Sequence, residues 1–235
     1  MRYLFFIFLL LFSQANGQVL PQGFFVSAGI EAVQIGAQIW MRNNLNTVVY
    51  NNGQPIPYQS NFNSLTTGAY GDYNAVPTNS STYGRLYNWY AVSDARGICP
   101  VGWRVPSETD FIRLTNYLYS GIAGSGVSTK AAGAVGGKLK EIGTIESGTG
   151  RWADPNMNAT DEYNFRALPS GWKQGASYAG MGTHTSFWTT TTYIDGLGVT
   201  DPTAAFRFTL YYNQNDFARV FSPKTYGFPV RCIKN

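Results

Sequence analysis

"GICPVGWRVPSETDF", residues 97 to 111, holds the chain's clearest local signal. After Pro106, Ser107 fits a helix N-cap, and Asp110 stands three residues on, a short-armed relative of the Glu or Gln of a capping box. Phe111, Leu114, Tyr117 and Leu118 then recur at helical spacing, which predicts a helix with one apolar face ending near Ser120–Gly121. Glu108 and Asp110 suit the positive end of the helix dipole, so they read as capping groups rather than a general acid/base pair. The same stretch carries Cys99, one of only two cysteines.

What Cys99 does depends on the compartment. Met1–Tyr3 is a short basic start, residues 4–12 are unbroken apolar sequence, and Ala15 and Gly17 fit a signal-peptidase site. The expectation is a signal peptide over 1–17, a lead-in over 18–32 and one domain over 33–235. The apolar run is shorter than the roughly 20 residues that span a bilayer. No cysteine follows the cleavage site to take a lipoprotein anchor, so the mature chain is expected without a membrane span, in the periplasm or at the cell surface.

In that oxidising setting Cys99 and Cys232 are expected to form a disulfide. Zinc would need further ligands, and His184 is the only histidine. A Cys99 nucleophile with a His184 base would leave Cys232 an odd thiol. A staple closing so long a loop contributes about 4–5 kcal/mol in the chain-entropy model.

Composition points to a loop-rich extracellular domain: 16% aromatic, 13% charged, 26 glycines. The net charge of +4 shows no clustered basic run, so no nucleic-acid footprint. Alternation around Val33, Ile35, Ile39 and Met41 predicts two strands turning at Gly36–Ala37. Residues 59–82 read as polar loop. A second, glycine-diluted helix is expected over 129–142. Short strands are expected near 165–169, 186–193, 204–212 and at the C-terminal "GFPVRCIKN".

In order along the chain, "IGAQIWMRNNLNT", "YGRLYNWYAV", "GICPVGWRVPSETDFIRL", "GGKLKEIG", "FRALPSGW", "FWTTT" and "YGFPVRCIKN" resemble the successive motifs of the Fibrobacter succinogenes major paralogous domain. These are exported domains common in Bacteroidetes-type bacteria. The resemblance covers residues 33–235. It implies an α+β, C-type-lectin-like fold, with a twisted, mostly antiparallel sheet, two helices, long loops and neighbouring chain ends, distantly like formylglycine-generating enzymes. The family pattern also has a cysteine at each of the two places. It implies no function, because fold alone does not fix one.

Three function classes are weighed. An enzyme has little support: no nucleophile-elbow or zinc-protease motif occurs, and both cysteines are committed. Asp154, Asp161, Glu162, Asp195, Asp201 and Asp216 read as loop acids rather than a glycosidase pair. A carbohydrate-binding module could use Trp172, Tyr178, His184, Tyr193, Tyr211, Asn213, Asn215 and Asp216, which mix stacking faces with amides and a carboxylate. Trp152, Trp172 and Trp188 also read as core aromatics, and the triplets of calcium-dependent lectins are missing. Asp154, Asn156, Asn158, Asp161 and Glu162 are weak calcium candidates, since side chains of this kind also bond their own backbone in turns. No other cofactor is expected. The third class, placed slightly ahead of polysaccharide binding, is a non-enzymatic subunit docking to cell-envelope or outer-membrane proteins through exposed aromatics.

Overall fold

A computed structural model describes residues 24–27, 29–120 and 135–235. The signal-peptide expectation lies outside these residues. In chain order the elements are β1 (Phe24–Ser27), β2 (Ile30–Ile35), β3 (Gln38–Met41), β4 (Tyr70–Gly71), α1 (Pro77–Tyr83), β5 (Leu86–Tyr87), α2 (Trp89–Val92), β6 (Trp103–Arg104) and α3 (Glu108–Ser120). The hairpin β7 (Ser170–Gln174)–β8 (Ser177–Met181) follows. After it come β9 (His184–Ile194), β10 (Thr200–Tyr211), β11 (Ala218–Pro223) and β12 (Ile233–Lys234).

The strands form a five-stranded sheet in the order β1-β2-β3-β12-β6, a three-stranded sheet β11-β10-β9, and two small pairs, β4-β5 and β7-β8. Every strand pairing within them is antiparallel. The class is α+β, as expected. Phe24–Ser27, read from sequence as part of a lead-in, is a strand of the larger sheet.

The capping signal becomes geometry in α3. The Ser107 backbone N–H and hydroxyl both donate to Asp110 Oδ2 at 2.7 Å, and the Asp110 N–H donates back to Ser107 Oγ at 3.2 Å. Arg104 closes the group with two hydrogen bonds to the same carboxylate, 2.6 and 3.0 Å. These bonds outweigh burial and hold the Asp110 carboxyl below its ordinary range.

Phe111, Leu114, Tyr117 and Leu118 all face inward. Phe111 stacks on Phe208 at 5.0 Å and meets Trp40 at 4.9 Å, so the helix seals one core against both larger sheets. The β2–β3 turn presses on α3 so closely that a Cβ at Gly36 would lie 2.8 Å from the Tyr117 ring.

The second core surrounds the disulfide. Cys99 and Cys232 are bonded, with Cα atoms 6.0 Å apart, beside Tyr87, Trp103, Trp188 and Phe228. The bond fixes the segment leading to β6 against β12, which lies between β6 and β3.

Three sequence expectations differ from the fold. Residues 77–82, read as loop, fall in α1, started by Pro77 at its first position, where proline's missing N–H is harmless. Of the helix expected over 129–142, residues 129–134 lie outside the described residues. The remainder is a short 3₁₀ turn, Gly136–Lys138, rather than an α-helix. Its glycines admit neighbouring backbone: a Cβ on Gly137 would lie 2.0 Å from the Asn158 carbonyl oxygen. Residues 165–169 contribute one parallel bridge, Lys140 to Ala167, and no strand. Asn164 and Arg166 have φ of 56° and 51°, which breaks an extended run. The described residues therefore hold three α-helices: the 13-residue α3 where expected, and the short α1 and α2.

Candidate functional site

Period-2 alternation along β9 and β10 builds the site. Thr185, Phe187, Phe206, Phe208 and Leu210 are buried, and the last four pack against α3 or its neighbours. The opposite face pairs Trp188 with Arg207, Ser186 with Thr209 and His184 with Tyr211 across the strands. The hairpin β7–β8 and the segment at Tyr226–Phe228 stand over this polar and aromatic face. Between them lies a cleft of about 350 Å³, lined by Trp172, His184, Arg207, Tyr211, Tyr226 and Phe228 among others.

The walls are aromatic. Trp172 and Tyr226 stack nearly parallel, 4° apart in plane at 5.7 Å, and both approach Phe228. The His184 ring lies 4.8 Å from that of Tyr211. Gly180, with φ of 79°, keeps one side open: a Cβ there would sit 3.3 Å from both His184 Nδ1 and the Trp172 ring.

The polar groups form a relay. Arg207 donates from Nη1 to Ser186 Oγ at 2.6 Å and from Nε to Ser222 Oγ at 2.8 Å, with its guanidinium 4.6 Å over the Phe228 ring. Ser186 Oγ is 3.0 Å from His184 Nε2, which is also 2.7 Å from Thr209 Oγ1. Burial, helped by the Arg207 charge, pulls the His184 ring down to about 3, so it is neutral at physiological pH. Burial lowers Arg207 only to about 10, so it remains a cation.

A serine beside a histidine invites comparison with a hydrolase dyad. Ser186 is fully buried, and its hydroxyl is already engaged by Arg207 Nη1 and His184 Nε2. Among the described residues no carboxylate orients His184, and its Nδ1 has no hydrogen-bond partner.

Of the residues singled out from sequence, the cleft unites Trp172, His184 and Tyr211. Tyr178 pairs with Lys173 in the β7–β8 register, one step from Trp172, and so falls on the hairpin's other face; its hydroxyl accepts from Lys173 Nζ at 3.1 Å. Tyr193 stacks on Phe221, with centroids 3.9 Å apart. Asn213, Asn215 and Asp216 lie in the β10–β11 connection, where Asn215 Oδ1 accepts from Gly137 N–H at 3.0 Å. Trp152 and Trp188 are core, each donating its indole N–H to a backbone carbonyl at 2.9 Å. Arg207, Tyr226 and Phe228 were not singled out. A lone arginine between Phe206 and Phe208 in an alternating strand is the signal that could have found the first.

The weak calcium candidates do not assemble as ligands. Asn156 turns its amide to donate to the carbonyls of Glu141 and Gly143, both at 2.8 Å, and Asp161 accepts from the Arg166 N–H at 2.7 Å. Asp154 and Glu162 are exposed. Among the described residues no group of three or more His, Cys, Asp or Glu side chains is spaced to hold a metal ion.

Burial pushes the Asp161 carboxyl up to about 6 despite Arg42 and Arg231 nearby, which favours a neutral acid where calcium would need an anion. The folded state then binds this proton more tightly than the unfolded chain, whose aspartates titrate near 3.9. That stabilisation is full below about pH 4 and is lost as pH rises through 6. Asp161→Asn is expected to remove this slope, measured as denaturation midpoints from pH 4 to 7, while the wild type loses stability over the same interval.

The geometry defines a class: a disulfide-stapled α+β domain whose two larger sheets and one long helix carry an aromatic cleft. Residues 33–234 match the Fibrobacter succinogenes major domain, and the chain belongs to that family. No curated protein and no solved structure matches the chain.

Proposed function

We propose that the chain is an exported, non-enzymatic binding module of the bacterial cell surface that captures carbohydrate in the aromatic cleft. The observation that carries this is the Trp172–Tyr226 wall facing His184, Arg207 and Tyr211. Flat aromatic faces offer the apolar side of a sugar ring a complementary surface, and a few convergent polar groups fix its orientation. The volume suits one or two sugar rings. A disulfide is the bond of an oxidising compartment, which supports export to the periplasm or surface. The placing of the last strand, β12, beside the early strand β3 supports a C-type-lectin-like reading of the fold.

Trp172→Ala and Tyr226→Ala are each expected to weaken oligosaccharide binding by roughly thirtyfold, as hot-spot aromatics do. Immobilised-glycan binding by the folded variants checks this. Unchanged binding by both would contradict the proposal.

A second reading, a subunit of an outer-membrane or cell-surface protein assembly, has its own support. Ile194, Leu197, Val199 and Phe221 expose apolar side chains around the β9–β10 turn, with Leu197 91% exposed, as a protein contact would. The cleft places ligand capture ahead, because it combines shape with convergent polar groups and the apolar turn does not.

A further inference from the structure

We infer that the cleft is built for a carboxylate, so that the glycan it captures carries a uronic acid. This rests on the proposed carbohydrate reading and names its substrate class.

Charge in the cleft is unmatched. Among the described residues no aspartate or glutamate lines the cleft. Arg207 spends Nε and one Nη1 proton on neutral serine hydroxyls and lies over an aromatic ring; its interactions include no carboxylate. Among the described residues Nη2 has no hydrogen-bond partner, and it is not one of the sealed-off polar atoms of a residue that lines the cleft. A half-buried guanidinium without a counter-ion is costly, and buried charges in folded proteins are ordinarily paired. A bound anion would supply the missing partner.

His184 is 95% buried and lines the cleft with its ring, while its Nδ1 is sealed off from the cleft. The Ser186 hydroxyl, already accepting from Arg207, has one acceptor for its own proton, His184 Nε2, while the Thr209 hydroxyl can donate to the Thr185 carbonyl at 3.1 Å. The serine that holds Arg207 is held in turn against His184 Nε2. The cleft thus presents one free charged donor, Arg207 Nη2, on a guanidinium fixed through Ser186 and Ser222. A fixed guanidinium N–H is the donor a carboxylate oxygen accepts from most strongly. A neutral sugar would leave the Arg207 charge unanswered. The aromatic wall beside this donor favours a carboxylate borne on a sugar ring over one ending a peptide.

The test needs no altered protein to begin. The disulfide-intact domain is titrated calorimetrically with short oligomers of galacturonic, glucuronic and mannuronic acid, with their methyl esters, and with the matching neutral oligomers. At least one acid is expected to bind, with its ester and neutral counterpart weaker by roughly tenfold or more, the span of a charge-assisted hydrogen bond. Arg207→Gln should reduce binding of the acid to the level of its ester, abolishing the difference between the two. Equal binding of acid and ester, or binding of neutral oligomers alone, would overturn the carboxylate inference and leave the carbohydrate reading standing. Binding of none would overturn both.

Discussion

Replacing Cys99 and Cys232 together by alanine is expected to destabilise the domain by about 4–5 kcal/mol. The bridge closes a loop with a sequence separation of 133 residues, and the entropy it removes from the unfolded chain grows with the logarithm of that length. For a chain of this size the loss corresponds to a melting point lower by about 10–15 °C. Both sulfurs are also buried in the second core, so the substitution removes packing as well. Thermal unfolding of the double variant, or of the wild type under reductant, checks this. A shift under about 3 °C would show that the unfolded chain is already confined without the bridge.

The second large effect is expected at Arg231, next to Cys232. Its guanidinium is 1% exposed and lies between the Phe165 and Phe187 rings. It donates to the carbonyls of Met41, Arg42 and Phe165 at 3.2, 2.6 and 2.6 Å, and twice to Asn44 Oδ1 at 3.0 and 2.7 Å. One side chain thus answers the backbone after β3 and a loop more than a hundred residues later. Arg231→Ala leaves a cavity and several acceptors without donors, and should lower stability by about 3–5 kcal/mol. Arg231→Lys keeps the charge without the planar fork and should fall between. Denaturant midpoints decide; a loss below about 1 kcal/mol in the alanine variant would mean water replaces the guanidinium without cost.

What could be read from sequence was what local physics dictates. The cap at Ser107, the apolar face of α3 and the β9 and β10 strands follow from spacing within a few residues. The 36–37 turn was legible because alternating strands flank it. Long-range placement was not. Nothing around Ile233 says that it pairs with Trp40 on one side and Arg104 on the other. The polar run of α1 has no apolar period to announce it; its start depends on Pro77 alone.

The cleft was legible in fragments. Trp172, His184 and Tyr211 stood out as residue types, but Tyr178 could not be separated from Trp172 without the β7–β8 register, which puts them on opposite faces. Arg207 hid because an arginine in a strand usually reads as a solvated face. Only the pairing with Trp188, and the approach of Phe228 from a remote loop, turn it inward.

The central claim is that this cleft, not the apolar β9–β10 turn, is the working surface. The most direct test is an amide and indole NMR titration of the isotope-labelled domain with neutral and uronic oligosaccharides. The largest shifts are expected at Trp172, His184, Arg207, Tyr211 and Tyr226, with Leu197 and Val199 unmoved. Shifts confined to residues 194–199 and Phe221, or no shift with any sugar, would contradict it.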